Sequence, residues 1–463
     1  MRVSVVGCGY VGLVAAACLA DVGHEVLCVD VDANKIARLN EGEIPIHEPG
    51  LDAIIARGRA SGRLAFGTDL AAAVRHATVI VVAVGTPSGE DGSADLGHVL
   101  ACARSLAAAM TRDTLIVVKS TVPVGTAARL RAQVEAALRA RGAGCRATVA
   151  ANPEFLKEGY AVEDFLRPDR IVIGLDEADG VAAETLRRLY APLNRVRDRL
   201  MFMSTRSAEL TKYAANCMLA VRISFMNEMA NLADATGADI EQVRLGVGAD
   251  PRIGPHFLYA GVGFGGSCFP KDLRAMLRAA ETAGEPAETI HAALRVNARQ
   301  RGLLARRIVD FFDGDAAGRS VALWGLAFKA NTDDVREASS LAIVEALLDA
   351  GATVRAYDPV AMANARAALG PRAGLHFAAS ALDALAGADV LAVVTEWREF
   401  RSPDFAALAR ALRARAVFDG RNLYDPSEVR AAGLHYFGIG RGNGAMAASP
   451  ASLAGAAAAR IAA

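Results

Sequence analysis

A cysteine sits in the stretch GFGGSCFPKD, Gly263 to Asp272, after three small residues and ahead of a lysine and an aspartate. The thiolate is the nucleophilic form of cysteine, and a nearby cation populates it. Cys268, with Lys271 and Asp272 three and four positions on, therefore reads as a candidate nucleophile. A thiolate that adds to an aldehyde gives a tetrahedral adduct; loss of hydride from it leaves a thioester that water cleaves. Beside a hydride-accepting coenzyme, such a residue carries an alcohol through to an acid. Cys18 and Cys28, by contrast, lie in periodic apolar contexts where cysteine serves as a small hydrophobe. Upstream, TKYAAN sets Lys212 and Asn216 one turn apart on a helix face. They form a donor pair suited to a developing oxyanion, although a surface lysine with a polar neighbour has the same spacing.

A hydride acceptor is implied at the N-terminus. VVGCGYVG places Gly7, Gly9 and Gly12 after a strand and at the start of a helix, where glycine lets backbone approach a pyrophosphate. Asp30 ends the second strand eighteen residues after Gly12. A carboxylate there accepts from ribose hydroxyls and repels a 2′-phosphate, which predicts NAD rather than NADP. Lys35 either touches the adenosine edge or is a solvated helix lysine. VGTP and KSTVPVGT put Thr86, Ser120 and Thr121 at further strand ends, where ligands of open parallel sheets bind. In NPEFLKEG, Glu154 and Glu158 are four apart; an ordinary helix-surface pair has that spacing, but the strand-end position favours a site. Only six of the 51 basic residues are lysine, so each lysine invites a reason that arginine would not satisfy.

The composition narrows the alternatives. With 463 residues, the chain holds two or three domains. Its 51 basic residues balance 51 acidic ones, and no basic stripe appears, which predicts no nucleic-acid partner. The longest apolar runs, such as VIVVAVG, are too short for a bilayer, and MRVSVVG enters a strand pattern directly, which predicts a cytoplasmic protein without membrane contact. Seven scattered cysteines and eight scattered histidines give no disulfide framework and no metal-ligand spacing, so reduced thiols and no metal are expected.

These residues need a scaffold. Strand-like runs RVSVVG, EVLCVD, VIVVAVG, TLIVVKS, ATVAANP and DRIVIG alternate with helical stretches, the first helix spanning about 12–22, and predict a doubly wound parallel α/β domain over 1–203. A helix of roughly 30 residues without glycine follows from Thr205 to Thr236, long for a globular protein. It opens a helical region over 204–313 and suits a spine and subunit interface. SVALWG, TVRAYDP, DVLAVVTEW, ARAVFDG and LHYFGIG restart the alternation over 314–440, with a helix at Ser339 to Asp349. The fold class is thus α/β, two doubly wound Rossmann-like domains joined by a long central helix. The second lacks GxGxxG, carries Lys329 beyond its first strand, and is poorly made for another dinucleotide. The remaining 441–463 is an alanine-rich tail without an apolar face.

GxGYVG, EIPIHEPGL, STVPVGT, NPEFLKEG, TKYAAN, DPRIGPHFL, GFGGSCFPKD, GLAFKANTDDVREA and DGRNLYDP together resemble the UDP-glucose/GDP-mannose dehydrogenase family, from residue 2 to about 440. The resemblance implies NAD-dependent, two-step oxidation of the C6 alcohol of UDP-glucose to UDP-glucuronate by a homodimer. It implies Cys268 as nucleophile, Lys212 and Asn216 as oxyanion donors, and Asp272 with Thr121 and Glu154 handling water and protons. Gly7, Gly9, Gly12, Asp30, Lys35, Thr86, Thr121, Glu158, Lys271 and Arg336 would contact NAD. Glu154, Phe155, Leu156, Lys157, Glu158, Lys212, Asn216, Phe257, Leu258, Tyr259, Ala260, Gly261, Gly265 and Lys329 would hold the nucleotide sugar, with Arg421 nearby. Arg252 would reach a neighbouring subunit's sugar site. Three alternatives stand beside this: a GDP-mannose or UDP-N-acetylmannosamine oxidant of the same type, a 6-phosphogluconate-type hydroxyacid dehydrogenase needing no cysteine, and a non-catalytic NAD sensor. FPKD, TDDVRE and GRNLYDP favour UDP-glucose among the sugars.

Overall fold

The computed structural model describes residues 1–176, 179–195 and 197–442, and the alanine-rich tail from 443 onward lies outside them. Two compact units are present: Met1–Ala215 with Arg274–Pro286, and Asn216–Leu273 with the chain from Ala287 on.

The first unit is built on eight strands, β1 (Arg2–Val6), β2 (Glu25–Val29), β3 (Leu64–Gly67), β4 (Val79–Val82), β5 (Thr114–Val118), β6 (Ala147–Ala151), β7 (Ile171–Gly174) and β8 (Leu200–Met203). They lie in the order β3-β2-β1-β4-β5-β6-β7-β8. Alternate residues feed two cores: Val3, Val5, Val79, Val81 and Val117 pack on one face, Ile80, Val82, Ile116 and Val118 on the other. That two-sided burial is why the strands read as continuous apolar runs. The order reverses between β1 and β4, and the loops carrying Gly7, Thr86, Thr121 and Glu154 leave the carboxyl ends of β1, β4, β5 and β6.

One expectation fails at the sheet edge. β6 pairs with β7 antiparallel through Ala151 and Gly174, so β7 and β8 run against the first six strands. The single helix between β6 and β7, Ala161–Leu166, is about 9 Å long. It is too short to return the chain along a strand, and β7 enters from the carboxyl end. β3 alternates buried and exposed residues and β8 is only partly buried, so neither reads as a continuous apolar run.

The long helix spans Thr205–Thr236 as the missing glycines predict. Its start is fastened to the sheet: a Cβ on Gly174 would lie 2.7 Å from Thr205 Cα and 2.8 Å from Ala208 Cβ. Glu209, buried on this helix, accepts from Gly125 N at 2.6 Å and Ala127 N at 2.7 Å, fixing the end of STVPVGT.

The second unit carries β9 (Ser320–Trp324), β10 (Thr353–Tyr357), β11 (Leu375–Phe377), β12 (Val390–Val393), β13 (Ala416–Asp419) and β14 (His435–Gly438), all parallel, in the order β11-β10-β9-β12-β13-β14. The helix Ser339–Asp349 has the predicted bounds. Asp358, just beyond β10, accepts from the amides of Leu326 (2.7 Å), Ala327 (3.0 Å), Val360 (2.9 Å) and Ala361 (2.7 Å), and from Trp397 Nε1 (2.9 Å). Its oxygens thus tie together the loops after β9 and β10. Among the described residues, no helix is long and apolar enough to cross a membrane.

Candidate active site

The glycine turn divides its labour. Gly7 has φ +104°, and a Cβ there would lie 2.6 Å from Ala83 O; a Cβ on Gly12 would meet Gly7 O at 1.9 Å. Both are required by packing, whereas Gly9 faces open space at the helix start and leaves room for a ligand. The helix begins at Tyr10, two residues earlier than the apolar pattern suggested, because Gly9 takes the extended N-cap conformation. Asp30 Oδ2 accepts from Cys8 N at 2.7 Å and Oδ1 from Asp32 N at 3.0 Å. Burial opposes its ionisation, yet those amides and Lys35, 3.4 Å away, hold it below the usual carboxylate range. Lys35 is thus neither free in solvent nor placed by itself on a ligand; it belongs to Asp30. The residues present fit a dinucleotide: an open glycine, first-turn amides and an ionised acid at the second strand end. Gly12→Ala is expected to weaken NAD binding at least about tenfold, since the added methyl displaces Gly7 O. Fluorescence titration with NADH checks this, and unchanged affinity would show that the turn is not the cofactor seat.

At the ends of β4, β5 and β6 the polar groups tie the strands together. Thr86 Oγ1 donates to Thr121 O at 2.9 Å, and Ser120 Oγ to Val84 O at 2.7 Å. Residues 152–160 are a loop rather than the helix that the spacing of Glu154 and Glu158 allowed. Glu154 and Lys212 form an ion pair at 3.2 Å with both side chains about 5% exposed, and Glu154 Oε2 accepts from Leu156 N at 2.6 Å. Lys212 Nζ also lies 5.6 Å from the Phe155 ring centroid. This is no surface lysine. Glu158 is half-buried, while Lys157 points away, paired with Asp164 and half exposed.

In the second unit, Cys268 stands at the N-terminus of the helix Phe269–Ala283, where Asp272 N donates to Cys268 O at 2.8 Å. A helix N-terminus favours negative charge. Lys271 corrects the sequence reading: its Nζ bonds Asp272 Oδ1 at 2.6 Å, so that cation serves the carboxylate before the thiol. Asp272 is 1% exposed, and its Oδ2 accepts from Asn216 Nδ2 at 2.6 Å. Lys212 and Asn216, read as one donor pair, are therefore each committed to a different carboxylate, Glu154 and Asp272. The glycines before Cys268 are packed against a neighbouring segment. A Cβ on Gly265 would lie 2.2 Å from Glu337 O, and one on Gly266 2.8 Å from the Phe328 ring. Their missing side chains admit the 328–337 segment, so close packing and not only ligand room demands them. Burial pushes the thiols of Cys18, Cys102 and Cys217 up, the last two to about 12, which leaves them poor nucleophiles. Cys268 is half-buried instead.

The remaining expected substrate residues fall into two groups. Leu258 and Ala260 are buried, Phe257 has φ +59°, and Gly261 N donates to Asn227 Oδ1 at 2.9 Å. Tyr259 is exposed under the Arg244 guanidinium, 4.8 Å from its ring. Arg421 braces the neighbouring loops, donating to Val394 O at 2.7 Å and Phe328 O at 3.0 Å and pairing with Glu396. Lys329 follows Phe328 with its Nζ 5.4 Å from that ring. Arg336 forms a bidentate pair with Asp334, and Arg252 one with Asp250; both arginines are largely exposed.

Sequence reasoning passed over Tyr10 and Glu48. Glu48, 6% exposed, accepts from Tyr10 OH, from Gly159 N at 2.7 Å and from Val162 N at 3.3 Å, joining the glycine turn to the loop that carries Glu154. The signal was the carboxylate of EIPIHEPGL that sits between His47 and Pro49.

Family models for this group match three successive segments: the NAD binding domain at 1–194, the central domain at 206–299 and the UDP binding domain at 322–426. The UDP-glucose 6-dehydrogenase of Pseudomonas aeruginosa is 52% identical over 446 residues, covering 95% of this chain and 98% of its own. That of Rhizobium meliloti is 46% identical, covering 95% and 100%. A solved UDP-glucose dehydrogenase from Pyrobaculum islandicum superposes with a TM-score of 0.85 at 41% identity, over 95% of this chain and 98% of the other. With three family models matching successive segments over most of its length and relatives this similar across 95% of it, the chain belongs to the UDP-glucose/GDP-mannose dehydrogenase family.

Proposed function

We propose that the chain oxidises the C6 alcohol of UDP-glucose to the carboxylate of UDP-glucuronate, consuming one water. The observation that carries this reading is Cys268 at a helix N-terminus with the Asn216-bonded Asp272 one turn behind it, in a chain with an NAD turn. NAD, when bound, takes up the hydride in each of the two oxidations. Gly9 and the first-turn amides hold its pyrophosphate, Asp30 its ribose, and Thr86 and Thr121 line the path beyond. Glu154 takes the alcohol proton, directly or through water, and Lys212 steadies the oxygen left behind. Cys268 Sγ adds to the aldehyde carbon, and Asn216 and Lys212 donate to the resulting oxyanion. After the second oxidation a thioester remains; Asp272 takes a proton from the attacking water, and the sulfur leaves as thiolate. Lys329 meets the diphosphate of the substrate. NADH formation with purified protein against UDP-glucose, UDP-galactose, UDP-N-acetylmannosamine and GDP-mannose tests the assignment. Two NADH per UDP-glucose support it; one NADH per sugar, or preference for another nucleotide sugar, overturns it.

The active species is a homodimer. Leu210, Met218, Phe225 and Leu232 expose 46%, 62%, 50% and 54% of their surface at spacings of seven or eight along the long helix, one apolar stripe down a single face. Phe225→Asp places the charge twice in a two-fold interface, so dimer dissociation is expected to rise at least about 100-fold. Sedimentation equilibrium measures it, and an unaltered assembly would remove this face from consideration.

A further inference from the structure

Buried carboxamides hold the main chain just ahead of Cys268, and the reaction above gives them no part. Asn297 and Gln300 lie three apart on one face of the helix Glu288–Arg301, 5% and 1% exposed. Leucine would fill that face without taking a polar group out of water. Both side chains spend their polarity on loop backbone. Asn297 Oδ1 accepts from Phe264 N at 2.8 Å, and its Nδ2 donates to Phe264 O at 3.0 Å. A neighbouring strand would give Phe264 the same pair of bonds. Gln300 Nε2 donates to Gly261 O at 2.7 Å, while Asn227 Oδ1 accepts from Gly261 N at 2.9 Å. Between the two gripped residues is Gly263, with φ +91°; a Cβ there would lie 2.8 Å from Asn297 Oδ1. The grip reaches the thiol through a ring contact. Phe264 meets Phe269 edge-on, with centroids 5.8 Å apart and planes at 86°. Phe269 opens the helix whose first turn bonds Cys268 O. Cys268 thus lies between a clamped residue four positions before it and a ring one position after it, and those two touch.

We propose that Asn297 is a positioning residue for Cys268. By holding both main-chain groups of Phe264 it keeps that ring against Phe269, and so keeps the sulfur at the N-terminus of the helix Phe269–Ala283. The proposal rests on the nucleophile role given to Cys268 above. Without the carboxamide, the amide and carbonyl of Phe264 lose this partner, and a buried main-chain group left unpaired shifts until it finds another.

Asn297→Ala is expected to lower kcat for UDP-glucose about 10²-fold, the cost of a reacting group misplaced by about an ångström. KM should stay within about threefold, because Gln300 and Asn227 still hold Gly261. A loss confined to KM would overturn the proposal. Asn297→Asp keeps the shape and makes the clamp titratable. Ionised, its second oxygen faces Phe264 O, acceptor against acceptor; protonated, it donates there as the amide did. Its kcat relative to wild type is therefore expected to be lowest near pH 8 and to climb as pH falls, and a flat ratio would leave Asn297 as packing alone. Cys268 itself supplies a measurement that needs no sugar: alkylation of the folded protein by iodoacetamide, followed by peptide mass spectrometry. Phe264→Leu keeps the main-chain clamp and most of the buried volume but removes the ring contact. In this variant and in Asn297→Ala, Cys268 is expected to react about tenfold more slowly at pH 7, since the thiolate loses the helix N-terminus that favours it. Alkylation at or above the wild-type rate in Phe264→Leu would end the proposal even where Asn297→Ala does not fold. Absence of UDP-glucose oxidation would sink the functional reading alone, since the alkylation rates decide the positioning regardless.

Discussion

Cys268→Ser is expected to lower net acid formation by about 10³-fold or more while NADH still binds. The hydroxyl is not ionised near neutral pH, and any oxygen ester that forms hydrolyses more slowly than a thioester. The helix N-terminus that favours charge on sulfur cannot ionise an alcohol of much higher pKa. Lys271 does not rescue the variant, because its ammonium is bonded to Asp272. Rapid-quench assays of UDP-glucuronate, with NADH binding followed by fluorescence, separate the two properties. Acid production at the wild-type rate would end the covalent mechanism.

The sequence spoke most clearly where one physical rule acts alone. Both-sided burial made most parallel strands visible as apolar runs, and the absence of glycine delimited Thr205–Thr236. It spoke poorly where the partner is distant in the chain. Nothing local tells that β7 runs against β6, which follows from a connection too short to cross back. Nothing in FPKD tells that Lys271 turns to the neighbouring Asp272. The residues of TKYAAN were identified as donors, but their division between Glu154 and Asp272 depends on contacts 58 and 56 positions away. The small residues before Cys268 were visible in the sequence; that Glu337 and Phe328 occupy the side-chain space of Gly265 and Gly266 was not. Charge patterns thus located the site's members, and packing assigned their partners.

Asp272→Asn gives the sharpest separation of the two halves of the reaction. The carboxylate is 1% exposed and is held by Asn216 Nδ2 on one oxygen and Lys271 Nζ on the other. An amide of the same shape keeps the Asn216 contact by turning its oxygen toward it, but it cannot take a proton from water. The cysteine remains, so aldehyde capture and the second oxidation continue until the thioester has formed. A burst of two NADH per Cys268 is therefore expected, followed by turnover slower by about 10²- to 10³-fold, the range that general base catalysis supplies. Mass spectrometry of the Cys268 peptide after the burst would carry the uridine diphosphoglucuronyl adduct. Loss of the burst itself would place Asp272 earlier, in proton removal from the alcohol, and hydrolysis would then fall to Glu154, the carboxylate ion-paired with Lys212 at 3.2 Å.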